Sequence, residues 1–171
     1  MGERSNDELG RRLRRLEDRA ELHDLVVRYF FACDDDDWDA LSEVFSNDAE
    51  FAGAFGRDQV VEVMAESRSE MGPTIHTPDG ILFTFDEGDD DVAHGVIGAH
   101  WELSVDGRTL YGAVRYEDEY VRERGSWRIR RRSHRVAHIG PWEEVATSLT
   151  TETPVRWPGR APAAADLPVS G

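Results

Sequence analysis

The stretch Met71-Gly72-Pro73-Thr74-Ile75-His76-Thr77-Pro78-Asp79-Gly80-Ile81-Leu82-Phe83-Thr84-Phe85 divides the chain in two. Before Gly72-Pro73 the apolar residues recur at helical spacing, and beyond it they alternate and are rich in Val, Ile, Tyr, Phe and Trp. Glycine readily takes the backbone conformation that ends a helix, and the proline behind it has no amide hydrogen to continue one. The period thus changes at a point where a helix must stop. Helices followed by strands, rather than alternating with them, predict an α+β fold with helices packed on one face of an antiparallel sheet.

Upstream of the divide, Leu9, Leu13, Leu16 and Ala20, then Leu22, Leu25, Val26 and Tyr29, predict a long first helix from Asp7 to about Cys33. A second, short helix carries Leu41, Val44 and Phe45, capped by Asp37 or Asp39 and broken by Ser46-Asn47-Asp48. A strand follows from Glu50 to Phe55, and Gly56-Arg57-Asp58 opens a third helix with Val60, Val61 and Met64 facing inward. Downstream, strands are expected near 74–85, 92–104, 109–122 and 127–137. Their connections, DEGDDD, Asp106-Gly107 and Arg124-Gly125-Ser126, are short enough to join antiparallel neighbours. A strongly twisted sheet of this kind makes a cone, and the first helix closes its concave face over a largely apolar pocket. The domain is read as 1–150. The tail 151–171, rich in Pro and Ala, is expected to wrap the surface or be disordered.

At 171 residues, 39% of them hydrophobic, the chain suits one domain with a real core. A net charge of -15 repels phosphate backbones, so neither nucleic acid nor an anionic membrane surface is an expected partner. The polar start MGERSNDELG does not resemble a secretory signal, and a cytoplasmic location is expected. Cys33 is the only cysteine, which excludes an intrachain disulfide, and all 20 basic residues are Arg, which excludes a lysine Schiff base.

The acidic run Asp34 to Asp39 fails as a calcium loop. Started at Asp35, it puts Ala40 where the turn needs glycine and Ser46 where a bidentate glutamate belongs. His94 and His100 share a strand face and His134 and His138 lie four apart, but no third ligand accompanies them, so no metal is expected and these histidines read as pocket or interface residues. Arg128 to Arg135 alternate along a strand, with Arg128, Arg130 and Arg132 on one side, and read as a solvated outer face paired with Glu117, Asp118 and Glu119.

Asp34 ends the first helix, His76 opens the first long strand and His100 lies within the second. On pattern alone, Asp34 reads equally as a solvated loop carboxylate, His76 as a strand-edge histidine and His100 as a half-buried strand residue. Together with their surroundings they say more. Tyr29-Phe30-Phe31-Ala32-Cys33-Asp34 with Trp38-Asp39-Ala40-Leu41, Ile75-His76-Thr77, Ala99-His100-Trp101, and Tyr120 through Gly125-Ser126-Trp127 resemble the SnoaL-like, scytalone dehydratase-like branch of the nuclear transport factor 2-like superfamily over about residues 10 to 140.

The resemblance implies a cone-shaped α+β barrel, no cofactor, a homo-oligomer (dimer or trimer) and a small-molecule substrate. It implies a catalytic set of His76 as base, Asp34 as the carboxylate that orients it, and His100 with Tyr29 assisting. Trp101, Phe51, Phe55 and Val96 are read as pocket wall. The chemistry is sound, because a carboxylate bonded to one imidazole nitrogen fixes the tautomer and leaves the other nitrogen to take a substrate proton. The expected reaction is a dehydratase-type β-elimination. An isomerase or cyclase using the same base, or a non-catalytic ligand-binding module, stays open. The tyrosine that scytalone dehydratases carry before the aspartate is Cys33 in this chain, and a second falls near Gly53, so the substrate does not transfer with the resemblance.

Overall fold

A computed structural model describes residues 2–167 of the chain, with side chains from residue 6 onward. The end of the predicted tail, 168–171, lies outside the described residues. The elements run α1 (Gly2–Asp34), α2 (Trp38–Val44), β1 (Phe45–Phe51), β2 (Ala54–Phe55), α3 (Arg57–Ser69), β3 (Thr74–Phe85), β4 (Val92–Val105), β5 (Arg108–Glu123), β6 (Ser126–Pro141) and a 3-10 helix (Trp142–Thr150). The six strands form one open sheet in the order β2-β1-β6-β5-β4-β3. All neighbours are antiparallel except β1 and β6, so the α+β architecture has a mixed sheet.

The long hairpins follow from two turns. Asp106 and Gly107 have φ of 51° and 71°, and Arg124 and Gly125 have 51° and 84°, the paired left-handed residues of a two-residue hairpin whose twist matches its strands. At Gly107 and Gly125 no side chain opposes that backbone. Asp37 caps α2 by accepting from the Ala40 amide at 2.9 Å.

Three local expectations need correction. The second helix stops at Val44, and Phe45 already belongs to β1, extended at φ -96° and ψ 147°. Pairing with β6 and complete burial of the Phe45 ring outweigh the breaker character of Ser46-Asn47-Asp48, and the buried Ser46 hydroxyl is satisfied by Asp48 at 2.8 Å. The first helix packs only over its second half. Leu22, Leu25, Val26, Tyr29 and Phe30 are buried, whereas Leu9, Leu13 and Leu16 remain exposed, and near them the helix meets the sheet through the polar Arg15, which pairs with Asp90 at 2.8 Å and lies over the Phe85 ring.

The third correction concerns the arginine-rich strand. β6 is irregular against β5 between Glu119 and Tyr120 and again between Ala113 and Val114, so strict alternation fails twice. Trp127 and Ile129 point inward, and after the first bulge Arg132 does too, joining the core instead of the solvated face. Its expected companions stay outside, where Arg130 pairs with Glu119 at 2.5 Å and Arg135 pairs with Glu117.

Residues 151–167 lie along β6 and fold back on themselves. The Ile139 amide donates to Pro154 at 3.0 Å, the Arg156 amide to Ile139 at 2.8 Å, and Val155 pairs with Ala163. Asp166 closes the far end, its amide donating to the Val136 carbonyl and its carboxylate accepting from the Val136 amide, both at 2.9 Å.

Candidate active site

Asp34 closes α1, where the Asp35 and Asp37 amides donate back to Phe31 and Ala32 and turn the chain away. β3 alternates, so Thr74 and His76 both face inward, toward that helix end. Three hydrogen bonds join the two elements. The His76 ring Nδ1 lies 2.6 Å from Asp34 Oδ1, the His76 amide donates to Oδ2 at 2.8 Å, and the Thr74 hydroxyl donates to Oδ1 at 2.9 Å. Burial by itself pushes the Asp34 carboxyl up, but the bonds from the His76 ring and amide and from Thr74 outweigh it and hold the group below its ordinary range. An ionised carboxylate only accepts, so Nδ1 carries the hydrogen, and in the neutral ring the lone pair is on Nε2. The ring is held flat against Phe30 (5.5 Å, 22°) and edge-on to Trp101 (6.2 Å, 71°).

His76 forms part of the wall of a cavity of about 500 Å³, within the range of small-molecule sites. Phe51 of β1, Met64 of α3, and Trp101 and Leu103 of β4 supply apolar wall, and Tyr29 and Tyr116 supply hydroxyls. The Tyr116 oxygen accepts from the Trp101 indole at 2.9 Å, which leaves its own hydrogen to donate. Beneath both tyrosines sits the Arg132 guanidinium, 3.9 Å from the centre of the Tyr29 ring and 4.6 Å from that of Tyr116. Asp118 holds it in a fork at 2.8 and 2.6 Å, and Tyr120 donates to the same carboxylate at 2.5 Å. Both side chains of this ion pair are wholly buried.

Burial pushes the Tyr29 and Tyr116 phenols up, with Arg132 opposing, so both are neutral hydroxyls at physiological pH. His134 also faces the cavity. Burial holds it below the usual histidine range, Asp166 opposes that and Arg132 adds to it, so the ring is a neutral imidazole.

The sequence profile of the SnoaL-like domain family matches residues 14–133. The chain belongs to the SnoaL-like domain family. Its fold is that of several solved structures. One is a type 2 hexachlorocyclohexane dehydrochlorinase, with TM-score 0.69 and 20% identity, covering 86% of this chain and 99% of that one. A candidate scytalone dehydratase from Novosphingobium aromaticivorans has TM-score 0.68 and 18% identity over 86% of this chain and 97% of its own. A nuclear transport factor 2-like protein of cystatin-like fold from the same organism has TM-score 0.62 and 27% identity over 74% and 86%. No curated protein matches the chain.

Within this SnoaL-like domain the residues singled out from sequence separate into two groups. Asp34, His76, Tyr29, Trp101 and Phe51 come together at or behind the cavity wall. His100, Phe55 and Val96 do not. His100 is next to Trp101 on a regular strand, and because Trp101 points inward His100 must point outward. There its Nε2 lies 3.3 Å from Asp79 and its ring stacks on Tyr111 at 5.4 Å. Val96 shares that outer face, and Phe55, in the two-residue strand β2, is 67% exposed.

Thr74, Arg132 and Tyr116 escape the sequence reading, whereas His134, read as a pocket or interface residue, does line the cavity. Thr74 had a signal, since it stands two residues before His76 and therefore on the same strand face. Arg132 had none, because a bulge carries it inward. His134 and His138, four apart, end on opposite faces for the same reason, His138 beneath the 3-10 helix beside Tyr111.

Proposed function

We propose that this SnoaL-like domain is a cofactor-independent lyase of the dehydratase type, acting on a small, largely apolar molecule. His76 Nε2 takes a proton from carbon next to an activating group, the C–H electrons form the new double bond, and water or another β-leaving group departs with the electrons of its own bond. Asp34 keeps Nδ1 protonated and the ring aimed, and the imidazolium then returns its proton to the leaving group or solvent. Tyr29 and Tyr116, backed by the Arg132 charge, are placed to donate to the negative charge that develops. Trp101 and Phe51 hold the apolar part.

The observation that carries this reading is the Asp34–His76 contact of 2.6 Å with the histidine in the cavity wall. The likeness in fold to a protein named a dehydrochlorinase and to a candidate dehydratase supports elimination among the reactions such a base can start. A panel of β-hydroxy and β-halo ketones assayed in D2O by NMR and mass spectrometry tests it. Product lighter by the leaving group, lost about 100- to 10,000-fold in His76→Ala, is expected. Equal turnover by both proteins overturns the assigned base, and a rearranged product that keeps the leaving group makes the enzyme an isomerase.

The outer sheet face exposes Ile75, Leu82 and Val96, which supports its use as a contact between copies of the chain in a dimer or trimer. Light scattering of the purified protein reads this directly, and a monomer at micromolar concentration contradicts it.

A further inference from the structure

The chain carries 35 Asp and Glu and a net charge of -15, yet no acidic residue lines the cavity. Its charged lining is two arginines, Arg68 and Arg160. Asp34 stands behind His76 and is occupied by it and by Thr74. Cys33, also in the lining, has its thiol pushed up to about 12 by burial and adds no negative charge. Positive lining inside a strongly acidic chain is a departure that general composition does not explain.

The two arginines are not equivalent. Arg68 is engaged, with Nε 3.0 Å from Asp36 and Nη1 donating to the Gly72 carbonyl at 2.5 Å. Arg160 makes no ion pair among the described residues and is exposed at the cavity mouth. It is delivered there by the strap of residues 151–167, anchored on β6 at Pro154 and Arg156 and again at Asp166. Between the anchors the Arg160 amide donates to the Trp157 carbonyl at 3.1 Å, closing a turn in which Gly159 takes φ +71°, a backbone that side chains oppose. The same turn sets Trp157 6.5 Å from Trp101 at 44°, so the aromatic wall that starts at His76 continues to the mouth. The strap lies beyond the stretch matched by the family, which ends at residue 133.

We propose that the cavity takes an anionic substrate: an apolar ring system bearing one carboxylate, its ring against Trp101 and Trp157 and its carboxylate held by Arg160. This rests on the reading of the cavity as the active site. A single free guanidinium offers the planar fork that one carboxylate fills, whereas a phosphate would need more donors than this mouth supplies. The reacting end then lies at His76 and the charged end at the strap. Specificity is thereby set by a segment outside the family's common core.

Titrating the full chain with 2-naphthoate and with its neutral isostere 2-naphthamide at neutral pH, followed by quenching of tryptophan fluorescence, tests this. The wild type is expected to bind the carboxylate about tenfold more tightly than the amide. Arg160→Gln should bring the ratio to about one chiefly through loss of carboxylate affinity, and Arg160→Lys should restore part of it. Equal affinities in the wild type, no binding of the carboxylate, or a preference that survives Arg160→Gln overturns the proposal. A His76-dependent neutral substrate without any carboxylate preference defeats this inference and leaves the lyase reading standing. A carboxylate preference with no turnover across the panel, carboxylate-bearing β-hydroxy and β-halo ketones included, does the reverse.

Discussion

On the inner face of the sheet Arg132 is sealed against Asp118 beneath two tyrosines, while on the outer face Arg135 reaches Glu117 with both side chains partly in solvent. His76 is likewise fixed inside by Asp34, whereas His100, one strand over and facing the other way, leans on an exposed Asp79. The two faces use the same residue types at nearly the same positions. Desolvation makes the difference: inside, a charge must be matched by a partner of good geometry, and that requirement orients groups for chemistry. Outside, water screens each pair and little is specified.

The comparison is broken most severely by removing one member of the inner pair. Asp118→Ala leaves Arg132 charged and buried, and urea unfolding should lose about 3–5 kcal/mol. Glu117→Ala, its outer counterpart, should lose less than about 1 kcal/mol. Similar losses from the two would mean that Arg132 is hydrated.

A smaller contrast lies in two glycines of β4. A Cβ on Gly95 would stand 2.8 Å from the ring of Tyr120, which is fully buried and cannot retreat, so Gly95→Ala should cost about 1–3 kcal/mol. On Gly98 the Cβ meets only the carboxylate of Asp79, an exposed side chain free to swing away. Gly98→Ala should stay within about 0.5 kcal/mol in the same unfolding assay.

The smallest effect sharpens the distinction, because it depends on burial rather than on face. His134 at the cavity and His138 under the 3-10 helix are both held below the ordinary histidine range, mainly by burial. The unfolded chain therefore binds protons that the native one refuses, and stability held above about pH 6.5 should decline as the pH falls below it. Thermal unfolding from about pH 7 to about pH 5 should show a shallower decline in His138→Gln than in the wild type. An unchanged slope would mean that His138 is protonated in the fold.

Much of this was legible in the sequence. The change of period at Gly72-Pro73 places the helix-to-sheet boundary, Asp106-Gly107 and Arg124-Gly125 place the hairpins, and His76, Tyr29, Phe51 and Trp101 line one cavity with Asp34 behind them. What failed did so through register. His100 and Trp101 are strand neighbours and so point apart, and the bulges of β6 move Arg132 inward without any mark in the residues themselves. The strap was illegible for another reason. Its order comes from long-range backbone bonds to β6, which no local periodicity announces.

As the base, the inward His76 and not the outward His100 should carry the first proton transfer. Deuterium incorporation next to the activating group of a turned-over ketone, followed by NMR in D2O for wild type, His76→Ala and His100→Ala, reads that proton transfer before any leaving group departs. Loss of exchange by about 100-fold or more in His76→Ala, with His100→Ala within about twofold of wild type, is the predicted result. Exchange that survives His76→Ala, or that vanishes with His100→Ala, would contradict it.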